Sequence, residues 1–129
     1  MRGANEKIHK VKLATLNIAN LMSKKKYKVK HLEALMRDKD IKVICLQETW
    51  LNDEILETET HIEGYVNYRQ DRGGDRKGGG TSTYISSSLS VTRHESYSNT
   101  VCDCVYVEIE EINVGVINIY RPPSSDVNS

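Results

Sequence analysis

Runs of apolar residues divide the first half of the chain into two extended segments and one helical segment. Residues 10–18 form a short run that alternates at first and is then apolar on both sides, as in a strand. Residues 41–47 form a short run that is apolar on both faces, as expected of an inner strand. Between them, apolar residues recur at helical spacing. These residues are Val29, Leu32, Leu35 and Met36. A strand, a helix and a second strand predict a right-handed βαβ unit whose two strands are parallel.

The second half has a different pattern, because its apolar runs are separated by turns rich in Gly, Ser, Asn and Asp. This arrangement predicts a meander of antiparallel strands. The expected strands cover residues 65–70, 81–86, 89–95, 101–110 and 114–120. In the run at 101–109, alternate residues share one side of the strand, from Val101 and Asp103 to Ile109. The sequence therefore predicts a mixed α/β sheet with a flanking helix.

Composition narrows the class of protein. A chain of 129 residues is long enough for one modest domain, and its 18 basic and 18 acidic residues give no net charge. No apolar run is long enough to span a membrane and no signal-peptide pattern is visible, so no membrane partner is expected. The chain has an odd number of cysteines, and none of them has the spacing of a metal site. They are Cys45, Cys102 and Cys104. They indicate reduced thiols and an intracellular location, nuclear or cytoplasmic.

Two polar side chains stand where apolar strands end, Asn17 in ATLNIANL and Glu48 in VICLQETWL. The carboxyl ends of parallel strands meet at one edge of the sheet, where open α/β sheets bind their ligands. A carboxylate and an amide oxygen at such an edge suit Mg²⁺ or Mn²⁺. Taken singly, each residue also has an ordinary explanation, with Asn17 capping a turn and Glu48 a solvated strand end.

Four motifs together resemble the first half of the endonuclease/exonuclease/phosphatase superfamily. They are LNIANL at 16–21, ICLQETWL at 44–51, KGGGTSTYIS at 77–86 and INIYRPPSS at 117–125. The Tyr-Arg-Pro-Pro block makes the chain most similar to the endonuclease domains of non-LTR (LINE-type) retrotransposons. The resemblance implies a four-layer α/β sandwich, two packed sheets flanked by helices, of which this chain is the N-terminal half.

The resemblance also implies a function, the nicking of DNA by metal-dependent hydrolysis of a phosphodiester. Glu48 would be the principal ligand of Mg²⁺ or Mn²⁺, and Asn17 would assist at the metal and phosphate. Tyr120 would donate a hydrogen bond to a phosphate oxygen. From the residues alone, a strand-end tyrosine that packs on its neighbours is the alternative for Tyr120.

The sequence departs from the family pattern in its catalytic groups. The family's second half supplies an Asp-x-Asn motif and a terminal Asp-His pair, and neither is found in a matching context. Asp126 and Asn128 spell Asp-x-Asn, but no apolar strand leads into them and they are not assigned that role. General acid–base groups supply about 10² to 10⁴ in rate, so the chain alone is expected to be inactive. We expect a tail at 1–10 and a partial domain at 11–129 whose C-terminal half is missing.

A missing half would leave one face of the sheet uncovered, since a sheet needs a covering layer. That face is expected to expose an apolar patch through which the chain could self-associate. The residues expected to contribute to the patch are Val105, Val107, Val116 and Ile119.

Two other functions remain open from the sequence. One is a non-catalytic remnant that binds nucleic acid through a lysine cluster and an Arg/Gly loop. The cluster consists of Lys24, Lys25, Lys26, Lys28 and Lys30, and the basic residues of the loop are Arg72, Arg76 and Lys77. The other is a phosphatase-type member that acts on a small phosphoester.

Overall fold

The computed structural model of the chain describes residues 10–73 and 78–121, without the side chains of residues 24–26. Seven strands and one α-helix lie within these ranges. In chain order they are β1 (Lys12–Asn17), α1 (Ser23–Lys39), β2 (Ile41–Gln47), β3 (Tyr65–Gln70), β4 (Thr81–Ser86), β5 (Val91–Ser98), β6 (Asp103–Ile109) and β7 (Val114–Tyr120). A short 3₁₀ helix, Glu57–Glu59, lies between β2 and β3.

The strands form two sheets, one of four strands in the order β1-β2-β4-β3 and one of three in the order β5-β6-β7. Strands β1 and β2 are parallel, as expected of a βαβ unit. All other pairings are antiparallel, as the turn-rich second half predicts. The predicted fold class, mixed α/β with a flanking helix, is confirmed. The expectation of one continuous sheet is wrong, because the meander divides after β4 and its last three strands pair only with one another.

Helix α1 covers the outer face of the four-stranded sheet. Its buried side chains, Val29, Leu32 and Met36, pack in one cluster with Ile44 of β2 and Tyr84 of β4. The predicted helical face is correct except for Leu35, which is 42% exposed. The helix ends at Lys39, and the next residue, Asp40, adopts a left-handed conformation (φ 56°) and donates its N–H to carbonyls of the last turn.

A second apolar core lies between the two sheets. Val43, Cys45 and Ile85 of the first sheet pack against side chains of the second. Those of the second sheet are Val105, Val107, Ile109 and Val116. Burying each valine or isoleucine stabilises the fold by roughly 1.5 to 3 kcal/mol, which explains why the two sheets stack.

The prediction of an exposed apolar patch formed by Val105, Val107, Val116 and Ile119 is therefore wrong for three of these four residues. Val105 and Val107 are 0% exposed and Val116 is 9% exposed, because the second sheet packs over the first within this chain. Ile119 has the opposite orientation and is 50% exposed on the outer face of the second sheet, as is Ile117. Alternation along β7 sends Val116 and Ile119 to different faces. In the part of the chain that the structure describes, no helix has the length and apolar character needed to cross a bilayer.

Candidate active site

The carboxyl ends of β1 and β2 lie side by side at one edge of the first sheet. Asn17 is paired in register with Gln47, the last residue of β2. The two chains stay together beyond the strands, since the N–H of Ile18 donates to the carbonyl of Gln47 (2.9 Å) and that of Asn20 to the carbonyl of Glu48 (2.8 Å). Backbone pairing alone thus places Asn17 and Glu48 next to each other.

Tyr120, at the end of β7, reaches the same place from the second sheet. Its hydroxyl donates to Oε2 of Glu48 at 2.9 Å, and Nδ2 of Asn17 donates to the same oxygen at 3.1 Å. The structure therefore brings together all three residues that the sequence singles out, two from one sheet and one from the other. What each of them does there stays a prediction.

These contacts set the charge of the site. Hydrogen bonds from Asn17 and then from Tyr120 lower the pKa of Glu48, because both stabilise the ionised carboxylate. Burial raises the pKa of Tyr120 to about 12, and its hydrogen bond to the Glu48 carboxylate acts in the same direction. At neutral pH the site therefore holds a carboxylate anion and a protonated phenol. The phenol can donate a hydrogen bond and cannot serve as a base.

The phenol carries a single proton, which limits its role. Tyr120 donates that proton to Glu48 in the structure, so it cannot simultaneously donate it to a phosphate. The hydrogen bond expected from the family resemblance would require the hydroxyl of Tyr120 to turn from the carboxylate to the phosphate oxygen.

The donor atoms of the site fit a hard divalent cation. The carboxylate of Glu48 and the amide oxygen of Asn17, whose nitrogen is used to bond Glu48, are oxygen ligands of the kind Mg²⁺ and Mn²⁺ prefer. Among the described residues there is no group of three or more His, Cys, Asp or Glu side chains placed to hold a metal. A cation here would thus take most of its ligands from water and phosphate, which is common for Mg²⁺.

The loop after Glu48 is held between two other segments of backbone. The N–H groups of Thr49 and Trp50 donate to the carbonyls of Gly80 and Gly79, while the carbonyl of Thr49 accepts from Leu21 (2.9 Å). Glu48 and Trp50 have positive φ angles of 58° and 59°, which are uncommon for residues other than glycine. Positive φ at such residues persists where surrounding structure enforces it, so the orientation of Glu48 is built into the fold.

A buried ion pair lies next to the glycine run, the three glycines at residues 78–80. Asp103, 0% exposed, accepts hydrogen bonds from Nε of Arg72 (3.2 Å), the N–H of Gly80 (2.8 Å) and Oγ of Ser98 (2.6 Å). The guanidinium of Arg72 also lies 6.0 Å from the centre of the Tyr120 ring. Sequence reasoning missed Asp103 and left Arg72 open as a basic residue of a nucleic-acid-binding loop. In the structure the Arg72 side chain is only 9% exposed and pairs with Asp103.

Asn118 is a second residue that sequence reasoning missed. It is 2% exposed, and its Oδ1 accepts a hydrogen bond from Nε2 of Gln47 (2.9 Å). Its Nδ2 donates to first-sheet atoms, the carbonyls of Leu46 and Ser82 and the hydroxyl of Thr83. The available signal was an asparagine two residues before Tyr120, on the inward face of an otherwise apolar strand.

Comparison with known proteins decides the family. The model of the Endonuclease/Exonuclease/phosphatase family matches residues 14–128. The chain belongs to this family. No curated protein matches the chain in sequence.

Solved structures agree with the family at the level of fold. The AP endonuclease LMAP from Leishmania major is 22% identical (TM-score 0.64), with 88% of this chain and 40% of that chain covered. An AP endonuclease from Archaeoglobus fulgidus is 18% identical (TM-score 0.63; 86% and 41% covered). The 3′ phosphatase NExo from Neisseria, bound to a product DNA hairpin, is 15% identical (TM-score 0.63; 86% and 41% covered). This chain therefore spans about two-fifths of the length of these structures.

One lysine of the lysine cluster, Lys28, contacts the backbone beside the site. Nζ of Lys28 donates to the carbonyls of Ile18 (2.7 Å) and Ala19 (2.6 Å), so it holds the loop that follows Asn17. Lys30 is exposed. The side chains of residues 24–26 lie outside the described structure. So do Arg76, Lys77, Asp126 and Asn128, together with Pro122 and Pro123.

The tight packing of the glycine run leads to a prediction. A Cβ atom at Gly80 (φ 87°) would lie 2.7 Å from Oγ1 of Thr49, whereas one at Gly64 (φ 85°) would meet nothing within 4 Å. Both alanine variants carry similar backbone strain, and Gly80→Ala adds overpacking. We expect Gly80→Ala to be less stable than Gly64→Ala by about 1 to 2 kcal/mol. Urea denaturation of both variants measures the difference. Equal stabilities would show that the Thr49 side chain can move away from the added methyl group at no cost.

Proposed function

We propose that this chain carries the metal- and phosphate-binding part of an endonuclease of the LINE-type retrotransposon kind, which in complete form nicks DNA. The observation that carries the proposal is the Glu48 carboxylate, ionised and oriented by Asn17 and Tyr120 at the carboxyl ends of parallel strands. The Tyr-Arg-Pro-Pro block supports the retrotransposon branch. DNA as a partner is supported by the product DNA hairpin bound to the Neisseria structure. The intracellular location stays a prediction.

The residues of the site divide the work by their chemistry. Glu48 and Asn17 would hold Mg²⁺ or Mn²⁺, which would stabilise negative charge on a phosphate as a Lewis acid. Tyr120 is protonated at neutral pH. It supplies a hydrogen-bond donor for a phosphate oxygen once its hydroxyl turns from the Glu48 carboxylate to the phosphate. The negative charge of Glu48 alone would repel a phosphate, so anion binding depends on the cation.

Hydrolysis needs a general acid or base besides these groups, and we propose that the chain alone does not supply one. The three histidines within the described ranges have other contacts. The ring of His31 packs on Tyr27, that of His94 packs on Tyr68, and His61 pairs with Glu63. None of these contacts involves the Glu48 site. Incubation of the chain with supercoiled plasmid and Mg²⁺ is expected to give no nicks, and nicking would show that the residues present suffice.

Metal binding tests the proposal without requiring catalysis. We expect Mn²⁺ to bind with a dissociation constant in the millimolar range, as at other sites with few protein oxygens. Glu48→Gln keeps the shape of the side chain and removes its charge, so it should weaken binding at least about tenfold. Electron paramagnetic resonance of free Mn²⁺ measures the affinity.

The matched control is Glu63→Gln, a carboxylate of the same type that is 89% exposed and lies outside the site. It should bind Mn²⁺ as the unaltered chain does. Equal affinity in Glu48→Gln and the unaltered chain would remove Glu48 from the metal site and end the proposal.

A phosphatase is the second candidate, favoured by the similarity to the Neisseria 3′ phosphatase. Both activities need a cation and a phosphate at the same edge, so Glu48 does not distinguish them. Competition for Mn²⁺-dependent binding does. An internal phosphodiester of an oligonucleotide should compete better than a terminal 3′ phosphate if the chain is of the nuclease kind, and the reverse order would favour the phosphatase. Oligonucleotide binding that does not depend on Glu48 or on Mn²⁺ would favour a non-catalytic remnant.

Self-association stays a prediction, and it now concerns a different surface. The residues that the sequence placed in the patch are buried except Ile119, so the exposed apolar side chains of the second sheet's outer face replace them. These are Tyr97, Ile117 and Ile119, each at least 50% exposed. Sedimentation velocity of the chain and of Ile119→Lys measures whether any dimer uses this face.

A further inference from the structure

Trp50 occupies an unusual place beside the candidate site. It is the only tryptophan of the chain, and it is 46% exposed. Its neighbours have the opposite environment, since Thr49 is 0% exposed and Leu51 is 3% exposed. Burial of both neighbours anchors the loop on either side and leaves the indole at the surface. The largest apolar side chain of the segment therefore does not contribute fully to the core.

The backbone at Trp50 holds this orientation at an energetic cost. Its φ angle of 59° lies in the left-handed region, which bulky side chains rarely occupy. The conformation is held by the hydrogen bond from the N–H of Trp50 to the carbonyl of Gly79 (2.9 Å). For bulky residues, strained backbone of this kind clusters at active sites and ligand-binding sites. Burial cannot explain it here, because the side chain it orients is half exposed.

The indole is also close to the proposed phosphate site. Trp50 follows Glu48 by two residues in the same loop, where the N–H groups of Thr49 and Trp50 donate to the carbonyls of Gly80 and Gly79. The edge of the indole that carries Nε1 lies near Gly78, where a Cβ atom would be 3.5 Å away. A phosphate bound at Glu48 would thus place its adjoining nucleoside within reach of the exposed ring.

We propose that the exposed indole of Trp50 is a stacking site for an unpaired nucleobase adjacent to the phosphate bound at the Glu48 site. The proposal rests on the proposed function, and it adds a preference for single-stranded or frayed DNA. Aromatic side chains stack on any base, because every base has a π face. In an intact duplex both faces of each base are already stacked, so an unpaired nucleotide is the better ligand.

Fluorescence of the only tryptophan tests the proposal in the unaltered chain with Mn²⁺ present. The probes are a short oligothymidylate, a blunt duplex of equal length, an abasic oligomer of equal phosphate content and mannose 6-phosphate. We expect saturable quenching by oligothymidylate and much weaker quenching by the duplex and the abasic oligomer. Equal quenching by the abasic oligomer would overturn the proposal, as would quenching by the sugar phosphate without quenching by oligothymidylate.

Two variants separate stacking from simple bulk. Trp50→Leu removes the π face and should weaken binding of labelled oligothymidylate about tenfold in fluorescence anisotropy. Trp50→Phe keeps a π face and should bind within about threefold of the unaltered chain. Leu56→Ser, which alters another exposed apolar residue, is the control and should bind unchanged.

The outcomes distinguish this proposal from the proposed function. Equal oligothymidylate binding by Trp50→Leu and the unaltered chain, with binding lost in Glu48→Gln, would overturn only the stacking site. If the unaltered chain binds oligothymidylate equally well with and without Mn²⁺, the metal site is overturned. The absence of any oligonucleotide binding would overturn stacking and DNA recognition together.

Discussion

Replacing Arg72 with alanine is expected to lower the free energy of unfolding by about 3 to 5 kcal/mol. Asp103 is 0% exposed, and Arg72 provides its counter-charge through Nε at 3.2 Å. Without the guanidinium, the partners that remain to the buried carboxylate within the described residues are two neutral donors, the N–H of Gly80 and the hydroxyl of Ser98. A bare buried charge is much more costly than a buried pair. Guanidinium denaturation followed by circular dichroism measures the loss.

The matched control is Arg93→Ala, which breaks an exposed pair with Glu95 on β5, where the two side chains are 58% and 57% exposed. Water and salt screen such a pair, so no resolvable change in stability is expected. The double variant Arg72→Ala/Asp103→Asn removes both charges and should recover part of the loss. If Arg72→Ala is no less stable than Arg93→Ala, the buried pair does not stabilise the fold.

The same pair connects stability to the site. Arg72 lies close to the ring of Tyr120 and against Gly79, where a Cβ atom would be 2.5 Å from the guanidinium. Loss of Arg72 therefore also releases the loop that holds Trp50. A variant that stays folded at low temperature should bind Mn²⁺ more weakly than the unaltered chain, although Arg72 is not a ligand.

The sequence predicted the elements well wherever a local pattern was sufficient. The bounds of β2, β3, β4 and β7 agree with the predicted strands, since each is a short apolar or alternating run between turn residues. The fold class is confirmed. The meeting of Asn17 and Glu48 followed from the parallel pairing of β1 and β2, which the βαβ pattern already implied.

The division into two sheets could not be predicted from local pattern. Periodicity indicates which residues form a strand and which face is apolar, but it does not say which strands pair. The turn between β4 and β5 has the composition of an ordinary hairpin turn, yet there the chain leaves one sheet and begins another. The division into two sheets depends on the packing of Val105 and Val107 in one cluster with Val43. This cluster joins distant parts of the sequence.

Buried polar residues were missed for the same reason. The alternation of β6 placed Asp103 on the inward face with Val105, which is where it lies. Its partner, however, is 31 residues earlier, in the glycine-rich loop that the sequence offered as a nucleic-acid contact. An inward charge predicts that some partner exists, but only the folded chain identifies it.

Replacing Asn118 with alanine is expected to lower the free energy of unfolding by about 2 to 4 kcal/mol. Its amide donates to the carbonyls of Leu46 (3.2 Å) and Ser82 (3.1 Å) and to the hydroxyl of Thr83 (3.1 Å), and it accepts from Gln47 (2.9 Å). Alanine would remove these hydrogen bonds to buried polar groups of β2 and β4 and leave a cavity between the sheets. Urea denaturation with a fitted m-value separates lost stability from a change in the unfolded state.

Ile117→Ala is the matched control in the same strand, since its side chain is 57% exposed and faces away from the first sheet. It should change stability much less than Asn118→Ala, and equal losses would mean that the hydrogen bonds of Asn118 contribute little. The two variants should also differ at the site. Asn118 fixes β7 against the end of β2, so its loss frees Tyr120 from its 2.9 Å contact with Glu48. Mn²⁺ affinity should therefore fall in Asn118→Ala and stay unchanged in Ile117→Ala, because only the first change loosens the joint between the two sheets that orients the carboxylate.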